Sequence, residues 1–229
     1  MNQNDVHSKT PRREFLGSLA AGAATLGVST LAPLGLIASP ELSAMAGEAD
    51  AWFDKVKGKH RVVFDVPAPH EVFPFAWPRV FLMTNANTGT PENECGVVVV
   101  LRHNAIPYAM NDSLWAKYKF GEVFKIDDAA TKAPSVRNAF WKPKPGVFAI
   151  PGIGNVAIGI NELQDSGVMF CVCDMAMTVY SAALAGGGDA AMVKKDFLAN
   201  LLPGIQPVPS GVWAVGRAQE KKCSYVFVG

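Results

Sequence analysis

The sequence predicts an α/β protein with a flavodoxin-like, doubly wound fold, in which a mainly parallel five-stranded sheet carries helices on both faces. Three observations predict this class. Five apolar runs recur along the chain, and segments with helical patterns separate them. The run at 96–101 is apolar throughout, which is typical of a strand buried on both faces. Strands that alternate with helices indicate βαβ units and therefore parallel pairing.

The predicted strands are rich in valine, isoleucine and phenylalanine, which suit the pleated surface of a sheet. They lie at 60–66, 94–101, 167–173, 204–209 and 223–228. The closing run at 223–228 is expected to complete the sheet, since it follows the last helical pattern without a further break.

Helices are predicted between the strands, at 70–87, 111–120, 158–165, 174–184, 193–202 and 210–221. Gly167 is expected to stop the third of them, because glycine favours the left-handed backbone at a helix C-terminus. Ser210 is expected to cap the last helix with its hydroxyl. Residues 119–151 are rich in lysine, proline and glycine and fit neither pattern, so they are predicted to form an insertion or a lid loop.

The N-terminus carries the features of a twin-arginine export signal. Arg12 and Arg13 precede Phe15, Leu16 and a weakly apolar stretch, and the small-x-small site 44–46 follows. This pattern predicts a signal peptide over 1–46 that is cleaved near Ala46, and a mature domain over 47–229. The partner would be the twin-arginine export machinery, and the location periplasmic or otherwise exported. The alternative is a retained membrane anchor, for which the stretch has the length but few large apolar side chains.

Charge and cysteine content bear on the partners of the protein and on its disulfides. The chain has 21 Lys and Arg against 20 Asp and Glu, without a basic stripe, so no nucleic-acid partner is expected. All four cysteines lie in the predicted mature domain, which would face an oxidising compartment. A disulfide is therefore conceivable, and the sequence leaves open whether Cys95 and Cys223 are paired.

The end of the third predicted strand holds the main candidate for chemistry. Cys173 would lie at the carboxyl end of this strand and at the start of the next helix, where the helix dipole favours a reactive thiolate. Cys171 would face the same side of the strand and is a candidate resolving thiol. The alternative is that both thiols are small buried hydrophobic groups.

Residues that follow the second predicted strand are expected at the same edge of the sheet. His103 could serve as an acid, a base or a charge partner for the thiolate. Arg102 and Asn104 could bind an anion beside it. The supporting residues predicted around this site also include Asp174, Asn111 and Trp115.

A metal site is the alternative chemistry. Sulfur and imidazole ligands favour soft or borderline metals, so copper or zinc are the candidates. The ligand set would be Cys171, Cys173, His103 and Met175. Such a protein would bind a metal or another cofactor without catalysis.

The second half of the chain resembles the DsrE/DsrF-like family of sulfur-relay proteins. The resemblance rests on 167–173 entering a helix, on 202–205, on 208–212 and on 218–225. It implies a flavodoxin-like domain, homo-oligomers, and a cysteine after the third strand that carries persulfide sulfur, which Cys173 matches. The export signal and the longer central section depart from the family pattern.

The leading expectation from the sequence is therefore an exported protein that handles sulfur. Cys173 would carry a thiolate or persulfide, and catalysis would consist of sulfur transfer. A persulfide is passed on by the attack of another thiol, so a sulfur donor or acceptor protein is the expected partner. A third alternative is a structural relative without chemistry.

Overall fold

Parallel strands form the central sheet of the protein. In a computed structural model that describes residues 39–129, 131–150 and 154–229, the sheet strands are β1 His60–Val66, β2 Cys95–Leu101, β5 Met169–Cys173, β6 Ile205–Val208 and β7 Ser224–Phe227. Their order is β6-β5-β2-β1-β7, and every neighbouring pair is parallel. A short antiparallel hairpin, β3 Ala149–Ile150 with β4 Gly154–Asn155, stands apart from the sheet.

Helices fill the connections between the strands. They are α1 Pro40–Phe53, α2 Phe73–Asn87, α3 Asp112–Lys117, α4 Phe120–Phe124, α5 Ile160–Asp165, α6 Asp174–Leu184, α7 Ala190–Ala199 and α8 Gly211–Glu220. Short 3₁₀ helices at Glu92–Glu94 and His103–Ala109 flank β2. α2 and α8 occupy two of the crossovers between parallel strands, as the right-handed βαβ rule requires of such connections.

The two faces of the sheet carry separate hydrophobic clusters. One face packs Phe64, Val99 and Phe170 against α2, α5, α6 and α7. The other packs Val63, Val98 and Cys171 beneath α1 and α8. The central strand β2 is buried at every position, as its unbroken apolar run predicts. These two layers on one parallel sheet confirm the doubly wound α/β class.

The helix predictions hold in their main features. A helix overlaps each predicted helical segment. The helix predicted at 193–202 is Ala190–Ala199, and the last one starts at Gly211 because Ser210 is its N-cap. The hydroxyl of Ser210 accepts a hydrogen bond from the backbone N–H of Trp213 at 3.3 Å. Gly167 has the expected left-handed backbone, with φ of 87°, just after α5. Both end signals therefore act as the sequence indicates.

Helix α1 crosses the predicted boundary at Ala46. Its buried residues are Ala49, Trp52 and Phe53, so its contacts with the core lie on the C-terminal side of that boundary. Residues 1–38 of the signal peptide predicted over 1–46 lie outside the described residues. None of the described helices has both the length and the apolar character needed to cross a membrane.

Part of the segment that the sequence predicts as an insertion or a lid loop packs into the core. Phe120, Phe124 and Phe140 are buried in the cluster beneath α2. The buried amide of Asn138 donates to the backbone oxygens of Tyr108 at 2.9 Å and Met110 at 3.1 Å. Opening this segment would expose three aromatic rings and break these bonds, so it is an insertion built onto the domain.

We expect Leu101→Ala to lower the free energy of unfolding by about 2–5 kcal/mol, because Leu101 is fully buried at the carboxyl end of β2 and its truncation leaves a cavity. Leu198→Ala is the matched control, since Leu198 is exposed on α7, and should change stability by less than about 0.5 kcal/mol. Urea unfolding of both variants measures this. Equal losses in the two variants would contradict the burial assigned to β2.

Candidate functional site

Cys173 lies where β5 ends and α6 begins. Its Sγ accepts a hydrogen bond from the backbone N–H of Ala176 at 3.3 Å and thereby serves as the N-cap of α6. The residue is only 6% exposed. The thiol thus contacts the positive end of a helix dipole, as the sequence predicts for this position.

Arg102 lies beside Cys173 in the register of the sheet. Leu101 of β2 pairs with Val172 of β5. The next residues along the two strands, Arg102 and Cys173, therefore occupy neighbouring positions at the carboxyl edge. On its other side Cys173 pairs with Val208 of β6. The predicted meeting of the second and third sheet strands at one edge therefore holds.

Asp65 and Tyr225 hold the guanidinium of Arg102. The Nε atom of Arg102 donates to Oδ1 of Asp65 at 2.6 Å, and its second terminal nitrogen donates to Oδ2 at 2.9 Å. The hydroxyl of Tyr225 donates to the same Oδ2 at 2.8 Å. Asp65 is buried, and its carboxylate accepts all three bonds. We call these three residues the Asp65 network.

Arg102 brings a positive charge to this edge. The hydrogen bond with Asp65 raises the pKa of Arg102, with smaller contributions from the charges of Asp65, Tyr225 and Cys173, so the guanidinium stays charged. This charge is already paired with the buried carboxylate of Asp65.

The start of α8 packs directly against Arg102. A Cβ on Gly211 would lie 2.4 Å from Cβ of Arg102 and 2.7 Å from its Cδ, so only glycine leaves room for this side chain. The backbone oxygen of Pro209 accepts a hydrogen bond from the N–H of Met175 at 3.3 Å, which ties this loop to the first turn of α6. The N-termini of α6 and α8 thus lie at the same edge as Cys173.

His103 and Asn104 line the outer side of this edge. His103 is exposed and has a left-handed backbone, with φ of 49°, and its ring centroid lies 6.2 Å from that of Tyr180 on α6. Partial removal from water, and to a smaller extent the charge of Arg102, lower the pKa of His103. The side-chain amide oxygen Oδ1 of Asn104 accepts a hydrogen bond from the hydroxyl of Tyr180.

Asp174 follows Cys173 and is buried at the start of α6. Its Oδ2 accepts from Nζ of Lys194 on α7 at 2.8 Å. Its Oδ1 is buried without a hydrogen-bond partner among the described residues. The ion pair fixes α7 against the first turn of α6, so Asp174 supports the position of the thiol.

Three predicted site residues serve the scaffold. Trp115 is fully buried and donates from Nε1 to the backbone oxygen of Pro107 at 3.0 Å. It is therefore part of the core and does not form the wall of a pocket. Asn111 caps α3 and donates to Oδ1 of Asn200 at 3.0 Å. Cys171 is fully buried beneath α1 and α8, and burial raises the pKa of its thiol, which keeps it protonated.

The structure does not assemble the alternative metal site. Cys171 packs into the cluster beneath α8, Cys173 into the one beneath α6, and Met175 is exposed on α6. In the described part of the chain, no group of three or more His, Cys, Asp or Glu side chains could hold a metal ion. Cys95 and Cys223 are free thiols in opposite clusters, so a bridge between them would have to cross the sheet.

A cavity of about 610 Å³ lies at the opposite, amino-terminal edge of the sheet. Lys57, Cys95, Gly96 and Asp165 are among its lining residues. It contains none of the predicted site residues, and burial, with the charges of Glu92 and Glu94, raises the pKa of the Cys95 thiol. This cavity is therefore separate from the carboxyl edge that holds Cys173, Arg102 and His103.

The sequence analysis missed Asp65, Tyr225, Tyr180 and Gly211. A carboxylate inside the apolar run of β1 is a signal in itself, because a buried charge needs a partner. Nothing in the sequence identifies Arg102 as that partner, since the contact joins residues on different strands. The glycine at 211 is likewise required by a tertiary contact alone.

Comparisons with known proteins identify a distant structural neighbour and no family. No family model matches the chain. No curated protein matches it at a significant level. Among solved structures, it is similar to a protein of unknown function, MTH1491 from Methanobacterium thermoautotrophicum, with 18% sequence identity and a TM-score of 0.40. The match covers 74% of this chain and 100% of the other.

We expect Gly211→Ala to destabilise the protein by about 1–3 kcal/mol, because the added methyl group overlaps the Arg102 side chain. Gly216→Ala is the control on the same helix. Nothing lies within 4 Å of its Cβ position, so alanine should be neutral or stabilise the helix by up to about 1 kcal/mol. Chemical unfolding distinguishes the two variants, and a neutral Gly211→Ala would contradict the packing of Arg102 on α8.

We expect acid to destabilise the fold through His103. Its folded-state pKa is lowered, so the unfolded chain binds this proton more readily, and stability should fall as pH drops below the ordinary histidine pKa of about 6.5. His103→Asn keeps a residue that tolerates a left-handed backbone and should flatten this part of the profile. Urea unfolding across this pH range measures it. An identical profile in the variant would contradict the assignment.

Proposed function

We propose that the protein carries sulfur as a persulfide on Cys173 and exchanges it with a donor or acceptor protein. The observation that supports this proposal is the position of the thiol at the N-cap of α6, at a strand end that neighbours the one carrying Arg102. Both features favour a sulfur anion over a neutral thiol. The resemblance to sulfur-relay proteins points to the same cysteine.

The transfer step conserves electrons. The Cys173 thiolate attacks the outer sulfur of a donor persulfide, a new S–S bond forms at Cys173, and the donor's S–S bond breaks to leave a thiolate. Delivery reverses these roles, since an acceptor thiolate attacks the outer sulfur on Cys173. Neither step requires an oxidant. The proton of the Cys173 thiol goes to water on loading, and the proton of the acceptor thiol goes to His103 on delivery.

Arg102 would stabilise the anion in both states of Cys173. Its Nε and one terminal nitrogen are bonded to Asp65, while the other terminal nitrogen, Nη1, has no hydrogen-bond partner in the described part of the chain. That nitrogen would remain available to the outer sulfur or to an anionic group of the donor. His103, exposed at the same edge and with a lowered pKa, would accept the proton of an incoming acceptor thiol.

The small exposed fraction of Cys173 fits a carrier better than a scavenger. A persulfide reacts with any accessible thiol, so a carrier must keep it from the wrong acceptor. The sulfur is the N-cap of α6, and only a small fraction of the residue is open to solvent. A protein donor or acceptor would therefore have to present its thiol at the carboxyl edge of the sheet.

We expect Cys173→Ser to abolish sulfur loading. The reduced protein is incubated with a low-molecular-weight persulfide and freed of excess reagent, and its intact mass is then measured by mass spectrometry. The wild-type chain should gain the mass of one sulfur atom, which a reductant removes, and the variant should gain none. Cys171→Ala is the control, because Cys171 is fully buried, and it should load as the wild type does.

Two outcomes would contradict the proposal. If the added sulfur maps to Cys95, Cys171 or Cys223 after proteolysis, a cysteine other than Cys173 carries it. A wild-type chain that stays unmodified, with a folded circular dichroism spectrum, would show that Cys173 does not carry sulfur.

A further inference from the structure

The two edges of the sheet are protected very differently. At one edge, β6 contains Pro207, which cannot donate to a further strand, and α1 packs beside it. At the other edge, β7 has neither proline nor charge, and all four of its residues are exposed. Tyr225 is 46%, Val226 36% and Phe227 54% exposed. Uncovered apolar edge strands are rare in native proteins because they invite pairing.

The backbone of β7 presents its free hydrogen-bonding groups at two positions. The N–H of Val228 donates to the carbonyl oxygen of Asp65 at 2.8 Å, so Val228 points toward β1. In a parallel strand the backbone N–H and C=O groups of successive residues point to alternate sides, so those of Val226 also point toward β1. Tyr225 and Phe227 therefore direct their N–H and C=O groups outward, where the described residues place no further strand.

We propose that β7 pairs antiparallel with β7 of a second copy of this chain, around a twofold axis at Val226. Tyr225 then lies opposite Phe227 of the partner subunit, and each pair exchanges backbone hydrogen bonds in both directions. The two five-stranded sheets join into one continuous sheet. This inference does not rest on the proposed sulfur chemistry.

The outward groups of β7 also suit a second copy as the occupant. They lie symmetrically on either side of Val226, so the strand is complementary to itself when reversed, as an isologous interface requires. The side chains match in the same register. Tyr225 and Phe227 share one face of β7 and would form cross-strand aromatic pairs, while Val226 would meet its own copy on the other face.

The apolar surface extends beyond the strand and gives the dimer more area to bury. Val226 pairs in register with Phe64, whose ring lies 6.4 Å from that of Phe81 on α2. One turn earlier on the same helix, Trp77 is 41% exposed and stacks on Phe73 at 4.8 Å between ring centroids. Stable dimers bury more than a single strand pair provides, and these aromatic rings extend the contact.

The dimer would also adjoin the Asp65 network. The Tyr225 ring enters the interface while its hydroxyl stays bonded to Asp65. Pairing would therefore order the residue that, with Asp65, holds Arg102. Each site would remain on its own subunit, because Cys173 lies across β1 and β2 from β7.

Sedimentation of the purified protein with two matched variants tests the interface. Phe227→Ala keeps the outward N–H, whereas Phe227→Pro removes it and leaves the inward bonds of β7 intact. The wild type should be a dimer, and the dissociation constant of Phe227→Pro should exceed that of Phe227→Ala by about 100-fold, because each dimer loses two symmetry-related hydrogen bonds. A monomeric wild type, or equal constants for the two variants, would overturn the proposal.

Crosslinking covers the case in which Phe227→Pro fails to fold. In the proposed register the two Val226 side chains form a non-hydrogen-bonded pair with Cβ atoms within disulfide reach. Val226→Cys should therefore form an intermolecular disulfide under mild oxidation. Val212→Cys, at an exposed position on α8, should not. Equal crosslinking of both variants would overturn the proposal. The absence of crosslinking in Val226→Cys would also overturn it, and this is the result expected if a different protein pairs with this edge.

Discussion

The ion pair between Asp65 and Arg102 is the interaction on which the carboxyl edge of this protein depends. A carboxylate buried in a strand is costly unless charged and hydrogen-bonding partners satisfy it. Asp65 obtains these partners from the end of β2 and from Tyr225 of β7, so the pair joins three adjacent strands. Arg102 in turn requires the absence of a side chain at Gly211, which fixes where α8 can start.

The same constraint determines the chemistry available at Cys173. The register of the sheet brings Arg102 beside the thiol, and the N-terminus of α6 supplies the second favourable interaction for a sulfur anion. An arginine free to rotate would spend much of its time in water. Because Asp65 holds the guanidinium, its charge would already be in place for the proposed transfer, which is the electrostatic advantage of a preorganised site.

The parts of this fold that the sequence could predict are those governed by local pattern. Unbroken apolar runs gave the sheet strands, and Gly167 and Ser210 marked helix ends by their own backbone and side-chain chemistry. Helix α1 was missed because its first residues overlap the small-residue cleavage pattern. The segment 119–151 was predicted only as an insertion or a lid loop, since its lysines and prolines conceal three phenylalanines that reach the core.

For the site, the sequence could place residues at an edge but could not pair them. Cys173, Arg102 and His103 follow directly from strand ends, and the structure brings them to one edge. Cys171 shares a strand with Cys173, yet it is sealed in the core two residues away, because the strand edge is reached only at its last residue. The partners of Arg102 come from distant parts of the chain, and such tertiary contacts leave no local pattern to identify.

The most direct test of the account is the state of Cys173 in protein purified from cells without reductant. Intact mass, peptide mapping and metal analysis on one preparation are sufficient. The account predicts a fraction of chains heavier by one sulfur atom, with the added sulfur on the Cys173 peptide and removable by a thiol reductant. Chains that carry stoichiometric copper or zinc and no added sulfur would contradict it.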